Sequence, residues 1–468
     1  MSKQISELKG IIGLEIHSYI ITREKLFCKC KASREKGLKA NTLICPICTG
    51  MPGAKPMLAN EEAVRKAVMI GKMLQCKIWQ DWKWQRKHYD WPDMPKGYQN
   101  TISGGVMKGI GEDGEFYGIN IRSLHLEEDP ASWNPETGEV DYNRSGLPLV
   151  EIITEPDFSS SEEVTIWLKR LVHALAYLKA VDSNAGIKVD VNVNLFENGK
   201  KKTERVEIKN ISSIEDIGKA IEYELERQSK EGGKIRETRR YDAGKGKTEV
   251  MRSKETQDDY RFITDPDLRD VEITEKFILD LEKKLPESPE EKLEKLIKKY
   301  KIDKINAEIL AKNIDIVEFF EEVVEEGKKR GLEIKYIERW VLVELLRHLN
   351  YNKKTLSEID IKTEHFVKLL YLIKKGKITE HQGKKILDEF KEKSFDVEKK
   401  IKGKEKIGDE KELEKVIEKV LEKNKKAVED YSKGEEKAFN YLIGQVMTLT
   451  QGRADFNVVR KLLMERLK

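Results

Sequence analysis

The first half of the chain alternates between apolar and polar positions. Ile12, Leu14 and Ile16 take turns with Gly13, Glu15 and His17; Val189, Val191 and Val193 with Asp190, Asn192 and Asn194; Val206 and Ile208 with Arg205, Glu207 and Lys209. Side chains of a strand point alternately to its two faces, so each segment offers one apolar face and one face of acids, amides and bases. This is the pattern of half-solvated antiparallel sheet, not the continuous apolar run of a buried parallel strand. The glycine-rich stretch from Gly104 to Gly118 suits hairpin turns.

Near residue 290 the pattern changes. All 12 prolines lie at or before Pro289. Proline removes a backbone donor and clashes with the preceding helical turn, so its absence beyond this point, where Lys, Glu, Leu and Ile dominate, predicts an all-helical second half. Residues 391–408, charged and punctuated by Gly403 and Gly408, read as a linker. Asp409-x-x-Glu412 has the form of a capping box. Leu413, Val416, Ile417, Val420 and Leu421 follow at helical spacing, and Tyr441–Leu467 reads as two further helices around Gly452-Arg453-Ala454-Asp455. The expected architecture is α+β with three domains. A large sheet domain covers 1–290, a helical domain 291–406, and a three-helix tail 407–468.

A chain of 468 residues has ample apolar material for such cores. Its net charge of only +4 implies no global polycation, so any nucleic-acid contact must come from local patches. The polar start Met1-Ser2-Lys3-Gln4 is not a signal peptide, and no apolar run is long enough to span a bilayer. Paired reduced thiols then place the protein in a reducing cytoplasm.

Those thiols are Cys28-Lys29-Cys30 and Cys45-Pro46-Ile47-Cys48, two close pairs joined by a loop containing Gly37 and Asn41. This spacing is the signature of a tetrahedral thiolate site, and zinc suits four sulfurs because it has no d-electron geometric preference. With all four positions filled by protein the site is closed and structural. The competing reading is two unliganded reduced pairs. Cys76 stands alone on an apolar helix and is a core residue.

The polar strand faces carry Glu15-x-His17, His125-x-Glu127 with Glu128 and Asp129, Glu151, Asp190-x-Asn192 and Glu207-x-Lys209. Carboxylates gathered on one sheet face repel one another unless a cation joins them, and oxygen ligands favour Mg2+. Such a site handles nucleotides, since Mg2+ keeps positions open for phosphate. Structural salt bridges with the abundant lysines explain the same acids equally well. The loop from Arg86 to Gln99 mixes bases, aromatics and prolines, and it either holds phosphates and rings or serves as scaffold. Gly244-Lys245-Gly246-Lys247-Thr248 imitates a phosphate-binding loop but has Tyr241 where glycine is required, so it reads as a hairpin turn. Ser212 and Ser213 have no local base to make either a nucleophile.

Taken in order, the motifs resemble one family. They are Gly13-Leu14-Glu15-Ile16-His17, Leu26-Phe27-Cys28-x-Cys30, Cys45-Pro46-x-Cys48-x-Gly50, Arg86-Lys87-His88-Tyr89, Pro92-Asp93-Met94-Pro95-Lys96-Gly97-Tyr98-Gln99 and Leu126-Glu127-Glu128-Asp129. Asp141-Tyr142-Asn143-Arg144, Pro148-Leu149-x-Glu151, Val206-Glu207-Ile208-Lys209-Asn210, Asp259-Tyr260-Arg261-Phe262 and Gly452-Arg453-Ala454 continue the series. The chain resembles, over nearly its whole length, GatB, the B subunit of the aspartyl/glutamyl-tRNA(Asn/Gln) amidotransferases. The resemblance implies a sheet domain of the glutamine synthetase and guanidino-kinase type. It implies ATP-dependent phosphorylation of the side-chain carboxylate of glutamate or aspartate wrongly esterified to tRNA(Gln) or tRNA(Asn). Ammonia from a partner amidase subunit, GatA, acting with a small GatC subunit, then displaces phosphate.

Carried over by position, His17, Glu127 or Glu128, and Glu151 would hold Mg2+, with Glu15 close by. Arg86, Lys96 and Tyr98 would contact ATP. Asp190 and Lys209 would orient substrate or nucleotide, and Cys28, Cys30, Cys45 and Cys48 would hold structural Zn2+. Basic residues of the helical half, such as Lys425, Lys426, Arg453, Arg460 and Lys461, would meet tRNA phosphates. The sequence departs from the commoner bacterial pattern at Asp129-Pro130-Ala131-Ser132 and in a short Asn184-Ala185-Gly186-Ile187-Lys188 segment. Three rivals make distinct predictions: the archaeal GatE subunit, which carries an inserted domain for which 468 residues leave little room; a non-catalytic zinc-stapled tRNA-binding scaffold; and a metal-dependent nuclease.

Overall fold

The alternating segments of the first half pair into one 13-stranded sheet. The computed structural model describes residues 8–35, 37–89, 91–103, 108–181, 186–253, 261–402 and 406–467. Met1–Gln4, Gly104, Asn184, Ala185, Asp259, Tyr260 and Gly403, singled out above, lie outside the described residues. The chain divides into two units, Met1–Ser288 and Pro289–Lys468.

In the first unit we label β1 (Leu8–Tyr19), β2 (Gln85–His88), β3 (Tyr98–Ile102), β4 (Ile119–Glu128), β5 (Pro148–Thr154), β6 (Ile187–Glu197), β7 (Val206–Ile211), β8 (Glu237–Asp242), β9 (Lys247–Ser253) and β10 (Ile263–Thr264). They lie in the order β9-β8-β7-β6-β1-β5-β4-β3-β2-β10, with three further strands joined off this row. Each adjacent pair in the row is antiparallel except β7 and β8, so the sheet is mixed. The parallel pair follows from its connection. Helix Ile214–Glu231 returns the chain to the edge from which β7 started, which a hairpin cannot do.

The even-numbered residues of β1 (Ile12, Leu14, Ile16) and the odd-numbered valines of β6 (Val189, Val191, Val193) are buried against three helices. These are α1 (Glu61–Met73), α2 (Ser161–Tyr177) and α3 (Ile214–Glu231). Side chains of Asn60, Ser160 and Ser213 accept from backbone N–H groups of the first turns and cap them. Ser213 is thus a helix cap. The Gly244–Thr248 stretch turns β8 into β9, with Gly246 at φ 62°. Cys76 is buried in this core, past the end of α1 rather than on it. With the helices on one face, the other is left to the acids, amides and bases.

In the second unit the described residues form helices and no strand, apart from two isolated bridges. One core gathers Phe320, Trp340, Phe366, Leu387 and Phe390. It also takes in Val397 and Ile401, because Val397–Ile401 is a short helix inside the stretch expected to be a linker. A second core gathers Leu413, Ile417, Val420, Leu442, Val446 and Val459. Four helices surround it: Glu410–Lys423, Lys425–Ser432, Glu436–Leu449 and Phe456–Arg466. The sequence pattern predicts three. The extra helix arises because the chain breaks at Asn424 and restarts at once. Asp409 caps the first of them by accepting from Glu412 N–H at 3.0 Å.

Gly452 joins these two cores. It sits at φ 77°, its carbonyl accepts from Thr379 Oγ1 at 2.7 Å, and a Cβ there would collide with His381 Cδ2. Gly452→Ala is therefore expected to destabilise the second unit by about 2 kcal/mol, since the left-handed conformation and the contact both oppose a methyl group. Urea unfolding monitored by circular dichroism checks this, and an unchanged midpoint contradicts it.

Candidate active site

The polar face is densest where β1, β5 and β4 run side by side. His17 faces Glu151 across β1 and β5, and Glu151 faces His125 across β5 and β4. His17 Nε2 lies 3.3 Å from Glu151 Oε1 and 3.7 Å from Glu127 Oε1, while His125 Nδ1 meets the other Glu151 oxygen at 2.6 Å. Burial disfavours charge on His17, but the hydrogen bond to Glu151 and the Glu151 and Glu127 charges outweigh it and raise its pKa to about 9. Burial and the Glu151 charge push Glu127 up. Burial acts on Glu151 in the same sense, yet the two histidines hold it well below the usual carboxylate range.

A second group lies one strand over. Glu15, Asp190 and Glu207 bring carboxylate oxygens within 4.8 Å of one another, and the His17 ring nitrogen and the oxygens of Glu127 and Glu151 do the same. Lys209 Nζ sits 2.6 Å from Asp190 Oδ2 and 2.8 Å from Glu207 Oε1. Asn192 Nδ2 donates to Glu15 Oε1 at 3.0 Å, and Asn210 N–H to Asp190 Oδ1 at 2.7 Å. Burial and then the Glu151 charge raise Glu15. Burial opposes the charge on Lys209, but Asp190 and Glu207 raise its pKa, so it stays an ammonium.

This donor set suits a hard divalent cation. Glu127 and Glu15 are each strained by burial and by the Glu151 charge, which a cation between the carboxylates would relieve. His125 holds Glu151 from behind, as an outer partner orients a ligand carboxylate.

Strand alternation separates two neighbours that the sequence left together. Glu127 shares the polar face, but Glu128 continues the parity of Leu124 and Leu126 and turns the other way. There it forms an ion pair with Lys96 and accepts from Asn100 N–H at 3.0 Å. Arg86 holds Asp265 through two bonds of 2.9 and 3.2 Å, reaches Asp267 at 2.9 Å, and lies 4.4 Å over the Tyr98 ring. So the structure brings Arg86, Lys96, Tyr98 and Glu128 together, but apart from His17, Glu127 and Glu151. Asn100 and Asp265, joined by a side-chain hydrogen bond, belong to this group although the sequence does not mark them as site residues. His125 and Glu207 take part in the polar-face clusters, as their parity with Glu127 and Lys209 implies; Asp265 has no local signal in the sequence.

The four cysteine sulfurs of Cys28, Cys30, Cys45 and Cys48 lie within 4.8 Å of one another and all are free thiols. Tetrahedral zinc bonds of about 2.3 Å would place sulfurs about 3.8 Å apart, so a small contraction seats the ion. Cys45 and Cys48 sulfurs are already 3.9 Å apart. The Cys28 thiol donates to Cys48, which lowers Cys48 to about 5 and pushes Cys28 up. Gly50, at φ 67°, lets this knuckle press on the Pro95–Lys96 turn, where a Cβ would collide with the Pro95 carbonyl.

Comparison with known proteins agrees with this geometry. Residues 10–279 match the model of the GatB/GatE catalytic domain and residues 318–467 that of the GatB domain. The chain is 43% identical to the B subunit of the aspartyl/glutamyl-tRNA(Asn/Gln) amidotransferase of Methanocaldococcus jannaschii over the full length of both. It is 44% identical to that of Methanopyrus kandleri, over 97% of this chain and 98% of the relative. The corresponding protein of Methanococcus maripaludis is 40% identical over the same shares. The chain belongs to the family of B subunits of the aspartyl/glutamyl-tRNA(Asn/Gln) amidotransferases.

Proposed function

We propose that the chain carries out the ATP-dependent amidation of Glu-tRNA(Gln), Asp-tRNA(Asn) or both, using its polar sheet face in the manner of glutamine synthetase. The observation that supports this best is the pair of carboxylate groups, His17-Glu127-Glu151 and Glu15-Asp190-Glu207, on adjacent strands of one face. A carboxylate is a poor acyl donor because oxide leaves badly. Its oxygen attacks the γ-phosphorus of ATP, the bond to ADP breaks, and an acyl phosphate results. Ammonia then attacks the acyl carbon, phosphate leaves, and ammonia's surplus proton passes to solvent. Phosphoryl transfer needs positioning and charge neutralisation more than a protein nucleophile, which suits a face with no Ser or Cys triad among the described residues.

His17, Glu127 and Glu151 would hold Mg2+, and Glu15, Asp190 and Glu207 would hold a second; the ions neutralise phosphate charge when bound. Lys209 keeps its charge between Asp190 and Glu207 and can turn it to a phosphate oxygen. Arg86, Lys96 and Tyr98, on the opposite parity, support the sheet edge rather than touch ATP. Ammonia would come from an amidase partner, GatA, in a complex with GatC. The second unit would dock the tRNA through residues such as Lys425, Lys426, Arg453 and Arg460, whereas Lys461 already pairs with Glu410 at 3.1 Å. No described helix is long and apolar enough to cross a membrane. Full-length alignment with B-type relatives favours this reading over the GatE type.

The test uses the chain co-purified with its amidase partner, glutamyl-tRNA(Gln), Mg2+ and ammonium. Glutaminyl-tRNA that forms only with ATP and releases ADP supports the proposal. Tight tRNA binding without ADP or amide would leave a scaffold, and ATP-independent cleavage of the tRNA a nuclease.

Metal uptake should depend on pH. In the metal-free protein His17 holds its proton up to about pH 9 against an ordinary value of 6.5. Its pairing with Glu151 therefore stabilises the metal-free fold fully below pH 6.5 and fades as pH rises through about 9. A metal ligand must be neutral imidazole, so the ion displaces this proton. Mn2+ affinity, measured by calorimetry or electron paramagnetic resonance, is expected to rise about tenfold per pH unit up to that range and then level off. A flat profile contradicts this.

A further inference from the structure

Lys25 is 1% exposed, in the core beneath the cysteine knuckle. Its Nζ approaches Cys48 Sγ at 3.5 Å and donates to the Tyr142 carbonyl at 3.2 Å. Among the described residues no carboxylate lies within ion-pair distance of it, whereas the other buried lysine or arginine described in the first unit, Arg239, has Glu237 at 2.9 Å and Glu224 at 3.5 Å. A buried ammonium without a compensating charge is strongly disfavoured. A carbonyl oxygen satisfies a hydrogen bond but supplies no charge. The sulfur is the remaining partner, so the compensating charge must reside on the thiolate cluster.

The zinc chemistry supplies that charge. Four thiolates around one divalent ion leave surplus negative charge on the sulfurs, and Cys48, the one that Lys25 meets, is buried. An ammonium against one of those sulfurs offsets part of that surplus with an N–H to sulfur bond. We propose that Lys25 is the charge partner of the zinc site, a positioning residue that retains the metal and ties it to the Asp141–Gly146 segment. This rests on the reading of Cys28, Cys30, Cys45 and Cys48 as zinc ligands.

The tie has a structural consequence. Asn143 Oδ1 accepts from Thr42 and Leu43 N–H, each at 2.8 Å, and Ser145 Oγ donates to Cys48 O at 2.7 Å. Arg144, between them, reaches Asp129 Oδ2 at 3.2 Å. Asp129 directly follows Glu127 and Glu128, so the knuckle, Lys25 and this segment together order the end of the strand that carries Glu127.

The experiment compares zinc retention in wild type, Lys25→Met and Lys25→Arg, all as the full chain. Zinc per chain is measured by atomic spectroscopy, and its transfer to EDTA is followed with a chromogenic zinc dye. Methionine keeps the length of the side chain and removes the charge. The Met variant is expected to lose zinc at about 10–100-fold lower EDTA concentration than wild type, and the Arg variant to lie nearer wild type. Equal retention in wild type and Lys25→Met overturns the proposal. A wild-type protein without zinc instead overturns the zinc reading beneath it, so the two failures are distinguishable.

Should Lys25→Met fail to fold, wild type alone decides. Acetic anhydride labelling with mass spectrometry is run before and after zinc removal, with Lys292 as reference. That residue is also buried, but Glu321 holds it at 2.5 Å. Lys25 labelling that rises on zinc removal while Lys292 stays constant is the expected result. Lys25 labelling that does not change shows that the metal site does not hold the ammonium, and the proposal falls.

Discussion

Glu151→Gln is expected to lower ATP-dependent amidation and ADP release by about a hundred- to a thousandfold while tRNA binding, measured by filter retention, stays as in wild type. The substitution keeps the shape of the side chain and removes one charge. That charge is central to the polar face. Glu151 meets His17 with one oxygen and His125 with the other, and it is the carboxylate of its group that the surroundings hold firmly ionised. Glu127 and Glu15 are pushed the other way, toward the protonated form. A cation arriving at this face therefore finds its firmest negative ligand at residue 151. The amide can offer one oxygen but no charge, and it leaves His17 without the partner that fixes its ring. Loss of Mn2+ binding at this site should accompany the loss of ADP. Amidation that proceeds at the wild-type rate in Glu151→Gln would remove the metal-assisted mechanism and leave the acids as structural.

The parts of this picture that a sequence shows well are those set by local spacing. Alternation over β1, β6 and β7 displays which residues share the polar face, because a strand repeats every two residues whatever surrounds it. The cysteine spacing likewise carries its own geometry. Non-local pairings leave no such trace. Arg86 and Lys96 read as phosphate contacts because basic residues beside aromatics look alike in either role, yet Arg86 is neutralised by Asp265, whose sequence distance of 179 residues hides the pair. The parallel pairing of β7 with β8 is equally distant from any local signal; it depends on where α3 returns the chain. Val397 and Ile401 show why the supposed linker misled. A helix of five residues is too short for periodicity to register, and only the core that receives it makes it a helix. Glu127 against Glu128 is a distinction the sequence does carry, since Leu124 and Leu126 already fix the parity of the strand.

That distinction yields the second large effect. Glu127→Gln and Glu128→Gln are adjacent, chemically identical changes with opposite expected outcomes. Glu127 lies 3.7 Å from His17 Nε2 on the polar face. Its loss is expected to weaken Mn2+ binding about 10–100-fold and reduce ADP release in parallel, with little change in unfolding midpoint, because the buried side chain it replaces was itself unfavourably charged. Glu128 is buried on the other side, where it pairs with Lys96 and receives Asn100 N–H. Its loss leaves the Lys96 ammonium without its acid, and breaking a buried pair from one side costs about 3 kcal/mol. Glu128→Gln should therefore unfold at clearly lower urea while its Mn2+ affinity stays at the wild-type value. Titrating both variants with Mn2+ and unfolding both in urea separates the two roles. If Glu128→Gln loses metal as Glu127→Gln does, the two side chains share one site and the division of labour between the faces of the sheet is wrong.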